Sequence, residues 1–165
     1  MRILVTAASK HGSTAEIAEL IGAVLVEEGL EAAVLAPDEV GDLHGYDAVV
    51  LGSAVYAGHW LDPALRLAER NAAGLAGRPV WLFSSGPIGD PPIPAEHEVD
   101  AGRVEAVTRP VEHKVFAGAL LRTRLGFAER ALVTALRAPY GDFRDWGAIR
   151  HWARGIAAAL TREGM

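Results

Sequence analysis

Three short stretches hold side chains that could act together on one ligand. The first is Thr6-Ala7-Ala8-Ser9-Lys10-His11-Gly12-Ser13-Thr14, with hydroxyls at Ser9, Ser13 and Thr14 and a glycine where backbone can come close. An apolar strand pattern precedes it and a helical pattern follows. The free N–H groups and positive dipole end of that helix face the loop and favour an anion. Hydroxyls and amides together make a phosphate cradle, with Lys10 and His11 as added charge; the plainer reading is a helix cap by Ser13 or Thr14 with Glu16 nearby. The second stretch, Gly52-Ser53-Ala54-Val55-Tyr56-Ala57-Gly58-His59-Trp60, sets two large aromatics among small residues. Small residues admit a flat ring to the backbone, and Tyr56 or Trp60 could stack on it; the plainer reading folds the aromatics back on the core. Gly58 can take a conformation other residues avoid. The third, Ser84-Ser85-Gly86-Pro87-Ile88-Gly89-Asp90, offers hydroxyls and free amides that could read a ring edge. Together the three describe a site for a mononucleotide with a large planar ring.

Other chemistries are excluded by what is missing. The first loop is not GxxxxGK[ST] and contains no GxGxxG, so neither a P-loop NTPase nor the usual dinucleotide site is supported. A receiver domain needs clustered aspartates after the first strand, and Thr6-Ala7-Ala8 has none. With no cysteine there is no disulfide framework, CxxC pair, thiolate zinc site or cysteine nucleophile. His97 and His113 have no metal-site spacing, and Glu96, His97 and Glu98 read as a solvated turn. His59 is the one titratable side chain of the second loop and could relay a proton. A net charge of -5, from 21 acids and 16 bases, speaks against a generic nucleic-acid binder.

Positioning these loops requires a particular frame. Ile3-Leu4-Val5 is a short buried strand ending at Thr6. From Thr14, residues Ile17, Leu20, Ile21, Val24 and Leu25 recur at helical spacing until Gly29. Ala32–Ala36 reads as a second strand, Asp47–Gly52 as a third buried on both faces, Val80–Phe83 as a fourth and Val115–Ala119 as a fifth. Asp62-Pro63 opens a helix as cap and first residue, with Leu65 and Ala68 inward. Gly86–Pro94 holds four of the nine prolines and reads as a structured loop. Leu121–Arg144 contains a helical pattern at Leu125, Ala128, Leu132 and Ala135, and a last helix from near Asp145 groups Ile149, Trp152, Ala153, Ile156 and Leu160. Strands about 30 residues apart with helices between them imply one α/β domain over 1–165, a parallel sheet covered on both faces. Ligands then sit beyond the carboxyl ends of the strands.

These residues resemble the flavodoxin-like family. Ser9-Lys10-His11-Gly12-Ser13-Thr14 is similar to its FMN phosphate loop, [ST]-x-x-G-x-T. The resemblance is nearest to the menaquinone-linked, flavodoxin-like protoporphyrinogen oxidase type. It is carried also by Gly52 to His59, by Ala117-Gly118-Ala119-Leu120 and by Asp145-Trp146 leading to Trp152-Ala153-Arg154-Gly155-Ile156-Ala157. It implies an open five-stranded parallel sheet in order 2-1-3-4-5, with an extra segment before the last helix. It implies non-covalent FMN, held through its phosphate by Ser9, Lys10, His11, Gly12, Ser13 and Thr14. Its ring contacts map onto Ser53, Ala54, Val55, Tyr56, Ala57, Gly58 and His59, and onto Ser84, Ser85, Gly86 and Pro87. In the family the extra segment is longer, more basic and more aromatic. Here it carries Arg122, Arg124, Arg130 and Arg137, of which Arg122 and Arg124 could meet substrate propionates or lipid phosphates.

Three functions follow from that resemblance. The first is an FMN-dependent oxidoreductase taking electrons from a small-molecule substrate such as a porphyrinogen to a quinone-type acceptor. The second is an electron carrier docking to redox proteins, and the third a flavin-free binding module of the same fold. No acid lies between Gly52 and Trp60. Few negative charges near the ring predict a flavin less strongly reducing than that of a low-potential shuttle. No apolar run approaches the roughly 20 residues of a membrane span, and Met1-Arg2-Ile3-Leu4-Val5 is too short for a signal peptide. A soluble cytoplasmic protein is expected, with no nucleic-acid partner and no metal; peripheral contact with the inner face of a membrane is left open.

Overall fold

The computed structural model describes residues 1–88 and 100–163. The chain runs β1 (Arg2–Ala8), α1 (Ser13–Glu27), β2 (Glu31–Leu35), β3 (Ala48–Tyr56), β4 (His59–Trp60), α2 (Asp62–Arg70), α3 (Ala72–Ala76) and β5 (Val80–Ser85). It continues α4 (Gly102–Thr108), β6 (Glu112–Phe116), β7 (Ala119–Leu120), α5 (Phe127–Leu136), β8 (Gly141–Asp142) and α6 (Trp146–Glu163). The long strands lie in the order β2-β1-β3-β5-β6, all parallel. This is the expected 2-1-3-4-5 sheet, with the short β4 added antiparallel to β3.

A parallel sheet is covered on both faces, so its strands must be apolar throughout. Ile3, Val5, Ala48, Val50, Trp81 and Phe83 pack against α1 and α6. The alternating set Leu4, Val49, Leu51, Val80 and Leu82 packs against α2 and α3. Burial of each large aliphatic side chain contributes about 1.5–3 kcal/mol. This two-sided core fixes where the strands end, and hence where the loops stand. After β1 the chain turns to one side to form β2, and after β2 it crosses to the other to form β3. The crevice at that switch, beyond the carboxyl ends of β1 and β3, is the standard ligand position of such sheets.

Several boundaries differ from the sequence reading. The strands extend past their apolar runs to Ala8, Tyr56 and Ser85, because ladder partners exist there: Ala8 pairs with Ser53 and Ala54 with Ser85. The last long strand is Glu112–Phe116 rather than Val115–Ala119; Glu112 and Lys114 are exposed because this is a sheet edge, and Glu112 Oε1 accepts from Trp152 Nε1 of α6. Asp62 is the first residue of α2 and Leu61 caps it without a side-chain bond. Leu65 is half-buried, while Ala64 and Leu67 complete the inward face with Ala68. Helix α4 and the β4 hairpin carry no sequence signal strong enough to expect them. Most of the Gly86–Pro94 loop, Asp90 and the Glu96-His97-Glu98 group lie outside the described residues.

Candidate functional site

A cavity of about 410 Å³ opens at the carboxyl edge of the sheet, within the size range of small-molecule sites. Its walls come from four places: the β1–α1 loop, the β3 end, the β5 end, and the segment from Gly118 through α5.

The β1–α1 loop forms one end. Gly12 has φ +89, a left-handed conformation suited to glycine, and stands at the N-cap of α1. No side chain caps the helix, so the plainer alternative, a cap by Ser13 or Thr14, is not made. Ser9 Oγ accepts a hydrogen bond from Gly12 N–H at 3.1 Å and closes the loop. The Ser13 and Thr14 amides of the first turn thus face the cavity end with their positive dipole uncompensated by a cap.

The β3 end bends back as a hairpin. Ala57 and Gly58 both have positive φ, +50 and +82, as a two-residue turn of this hand requires. Trp60 therefore returns beside Val55 and is buried, and its Nε1 donates to Ser84 Oγ at 2.7 Å. It belongs to the core and does not stack in the site. Tyr56 remains on the cavity wall, with Lys10 Nζ 4.5 Å from its ring centroid. Burial pushes the Tyr56 phenol above its ordinary value, against the opposing charge of Lys10.

The β5 end contributes Ser85, Gly86 and Ile88. Glycine is required where this wall meets the next one. A Cβ at Gly118 would stand 2.9 Å from Gly86 Cα, and one at Gly86 would stand 3.0 Å from Val55 Cβ. Backbone lies directly on backbone there, and Gly118 N–H donates to Pro87 O at 2.9 Å.

The fourth wall is the segment before the last helix. Leu120, Leu121, Leu125, Leu132, Val133 and Leu136 make it apolar. Its charged residues reach the β1–α1 loop. Glu129 Oε2 lies 2.6 Å from His11 Nε2 and 3.6 Å from Lys10 Nζ. Burial works to raise the Glu129 carboxyl, but hydrogen bonds from His11 and Gly126 N–H, with the charges of His11 and Lys10, hold it below the usual range. Arg124 Nη1 lies 2.6 Å from Glu16 Oε1, and Arg144 Nη1 donates to Ser13 O at 3.1 Å. Neither Glu129 nor the reach of Arg124 was visible in the loop sequences; only folding brings them in. Arg122, by contrast, has no hydrogen bond or ion pair to the loop among the described residues, and its carbonyl accepts from Arg130 Nε.

Of the residues singled out in the sequence, Ser9, Lys10, His11, Ser13, Thr14, Ala54, Val55, Tyr56, Ala57, Ser85 and Gly86 line this one cavity. Gly12 does not line it but lies beside Arg124, whose Nη1 would stand 3.7 Å from a Cβ there. Ser53 and Ser84 are buried in the framework. Ser53 Oγ accepts from Leu61 N–H and donates to Ala54 O, fixing the hairpin. Pro87 serves through its carbonyl. Gly58 and His59 lie on the far side of the turn, where His59 is 69% exposed and pairs with Asp100 at 3.6 Å. That position removes His59 as a proton relay for this cavity.

Ser84, His113 and Glu105 form a separate chain. Ser84 Oγ and His113 Nε2 are 2.7 Å apart, as are His113 Nδ1 and Glu105 Oε1. The order resembles a hydrolytic triad. Ser84 is completely buried and already accepts from Trp60, so the chain ties β5 to β6 and α4 rather than attacking a substrate.

Known proteins share this fold. The flavodoxin domain family model matches residues 4–145. The chain is 23% identical to protoporphyrinogen IX dehydrogenase [quinone] of Escherichia coli K12, covering 95% of each chain. A flavodoxin from the domain Archaea superposes with a TM-score of 0.65 at 17% identity, covering 98% of this chain and 99% of that one. The flavodoxin of Streptococcus pneumonia TIGR4 also gives 0.65, at 19% identity over 96% of this chain and 99% of that one.

Proposed function

This chain belongs to the flavodoxin domain family, and on that premise we propose that it is an FMN-dependent oxidoreductase. It takes electrons from a reduced organic substrate, with a porphyrinogen as the first candidate, and passes them to a quinone-type acceptor. The name of its E. coli relative describes such a reaction for that protein.

The observation that carries the reading is a single cavity with an anion-seeking end and an apolar end. Residues and group fit each other. The uncapped first turn of α1, the Ser9 hydroxyl and the space left by the missing Cβ of Gly12 suit a phosphate. The Tyr56 ring and the side-chain-free backbone of Gly86 and Gly118 suit a flat ring. When bound, FMN supplies the transfer of electrons with their protons; the protein supplies position and electrostatics.

The chain's own residues have definable tasks. The amides of Ser13 and Thr14 and the Ser9 hydroxyl hold the phosphate end. Tyr56, a phenol protonated at neutral pH even without the rise that burial gives its pKa, offers a hydroxyl donor at the cavity wall. Leu121, Leu125, Val133 and Leu136 make the other end apolar and favour an apolar substrate or acceptor. Glu129 brings a negative charge that the loops themselves lack, but it is matched by Lys10 and His11. The surroundings remain close to neutral, which suits a flavin of moderate potential.

A second reading, a carrier without its own substrate, is favoured by Phe127, which is 91% exposed on α5 where a redox partner could touch it. No helix among the described residues is long and apolar enough to cross a membrane.

Absorbance of the purified protein, with identification of the released chromophore, tests the cofactor. Flavin bands from FMN are expected; a colourless protein that binds no added FMN overturns the reading. Anaerobic mixing with protoporphyrinogen, then with a quinone, tests the reaction. Bleaching followed by recovery is expected, and a flavin that stays oxidised leaves the carrier reading instead.

A further inference from the structure

We infer that Arg124 is a ligand of the flavin phosphate and sets a preference for phosphorylated over unphosphorylated flavin; this rests on the FMN reading above. The β1–α1 loop accounts for a phosphate site through amides and hydroxyls alone, so a guanidinium from the far end of the chain is an addition to it.

The first argument is place. The 3₁₀ turn Arg122–Arg124 projects the Arg124 side chain onto the start of α1. Its Nη1 lies 3.4 Å from His11 O, 3.5 Å from Ser13 Oγ and 2.6 Å from Glu16 Oε1. It would lie 3.7 Å from a Cβ at Gly12. The guanidinium therefore stands across the open side of the loop, bordering the space beside Gly12.

The second argument is charge. The positive end of a helix dipole disfavours cations. Yet Lys10, Arg124 and Arg144 converge on this one, with His11 beside them. The anions that face them are Glu16 from α1 and Glu129 from α5, with Asp142 paired to Arg144. Cations gathered at a positive helix end are stabilised by an anion placed among them.

The third argument is availability. Arg144 is committed: its side chain is 4% exposed, doubly bonded to Asp142, bonded to Ser13 O and laid over the Trp146 ring at 4.6 Å. Lys10 is held between the Tyr56 ring and Glu129. Arg124 makes all of its side-chain hydrogen bonds among the described residues through Nη1. Among the described residues its Nη2 and Nε have no partner, which leaves the second arm of the fork for a phosphate oxygen. The preference follows because riboflavin ends in a neutral hydroxyl where FMN carries the phosphate, so the charge-assisted bond to Arg124 is lost.

The test is titration of the flavin-freed full chain with FMN and with riboflavin, read by flavin fluorescence. Arg124→Ala is expected to weaken FMN about tenfold to a hundredfold, the range for a lost charge-assisted hydrogen bond, while leaving riboflavin unchanged. Arg124→Lys should recover part of the loss. Glu16→Gln frees Arg124 without removing it and should leave FMN as tight or tighter. Equal losses for both flavins in Arg124→Ala, or a Glu16→Gln loss matching it, would show a merely structural bridge and overturn the inference. Unchanged FMN affinity in Arg124→Ala overturns it as well. If the unaltered protein binds neither flavin, the FMN reading itself falls, and the two failures are thereby told apart.

Discussion

Helices α5 and α6 carry similar apolar spacing and come to opposite ends. In α6, Ile149, Trp152, Ala153, Ile156 and Leu160 are buried against α1 and the sheet, and Trp152 meets Phe83 and Phe116 edge-on. In α5 no residue is buried: Leu132 is 58% and Leu136 69% exposed. The difference lies beneath each helix. Under α6 is a layer of close-packed side chains, whereas under α5 is the cavity. An amphipathic pattern records that a helix has an apolar side; it does not record whether that side faces protein or a ligand space. What holds α5 in place is instead polar, the Glu129 carboxylate on Lys10 and His11, with Arg124 on Glu16 just before it.

Paired truncations on the two helices probe this contrast most strongly. Ile156→Ala should lower unfolding free energy by about 2–5 kcal/mol, as a cavity in a packed core does. Leu132→Ala should change it by no more than about 0.5 kcal/mol. Urea denaturation of the two variants decides; comparable losses would mean that α5 packs as a core helix. Gly118→Ala addresses the shared floor. The new Cβ meets the Gly86 backbone, which cannot move aside as a side chain can, so a loss of about 1–3 kcal/mol is expected together with weaker flavin binding. A variant with full stability and full affinity would show that the two segments are free to separate.

The smallest effect concerns pH. Glu129 has its carboxyl held below the usual range in the folded protein. Its contribution is therefore complete above the unfolded carboxylate pKa and is lost as pH falls through the folded value. Amide exchange in α5 should quicken across that acid window while exchange in α6 does not. Glu129→Gln should show fast α5 exchange already at neutral pH. Equal exchange in the two proteins would remove Glu129 as the tie.

Much of the frame was legible because parallel strands buried on both faces need unbroken apolar runs, and Leu4-Val5, Val49-Val50-Leu51 and Val80-Trp81-Leu82-Phe83 are such runs. The spacing of Ile17, Ile21, Val24 and Leu25 likewise marked α1 and its buried side. The loop from Ser9 to Thr14 could be read because its chemistry is local, in amides and hydroxyls a few residues apart. Trp60 and Ser84 could not be assigned that way. Both looked available for a ligand, yet each satisfies the other inside the core once the hairpin turns back. His59 faces Asp100 for the same reason.

Local order along the chain is thus enough to specify the strands, the principal helices and the β1–α1 loop, since each depends on neighbours within a few residues. The charges that complete the site are another matter. Arg124 stands 108 positions from Glu16, and Glu129 118 positions from His11. Such pairs have no signature in spacing, because Coulomb and hydrogen-bond energies depend on distance in space, and that distance exists only after the sheet has brought the carboxyl-terminal segment over the first loop.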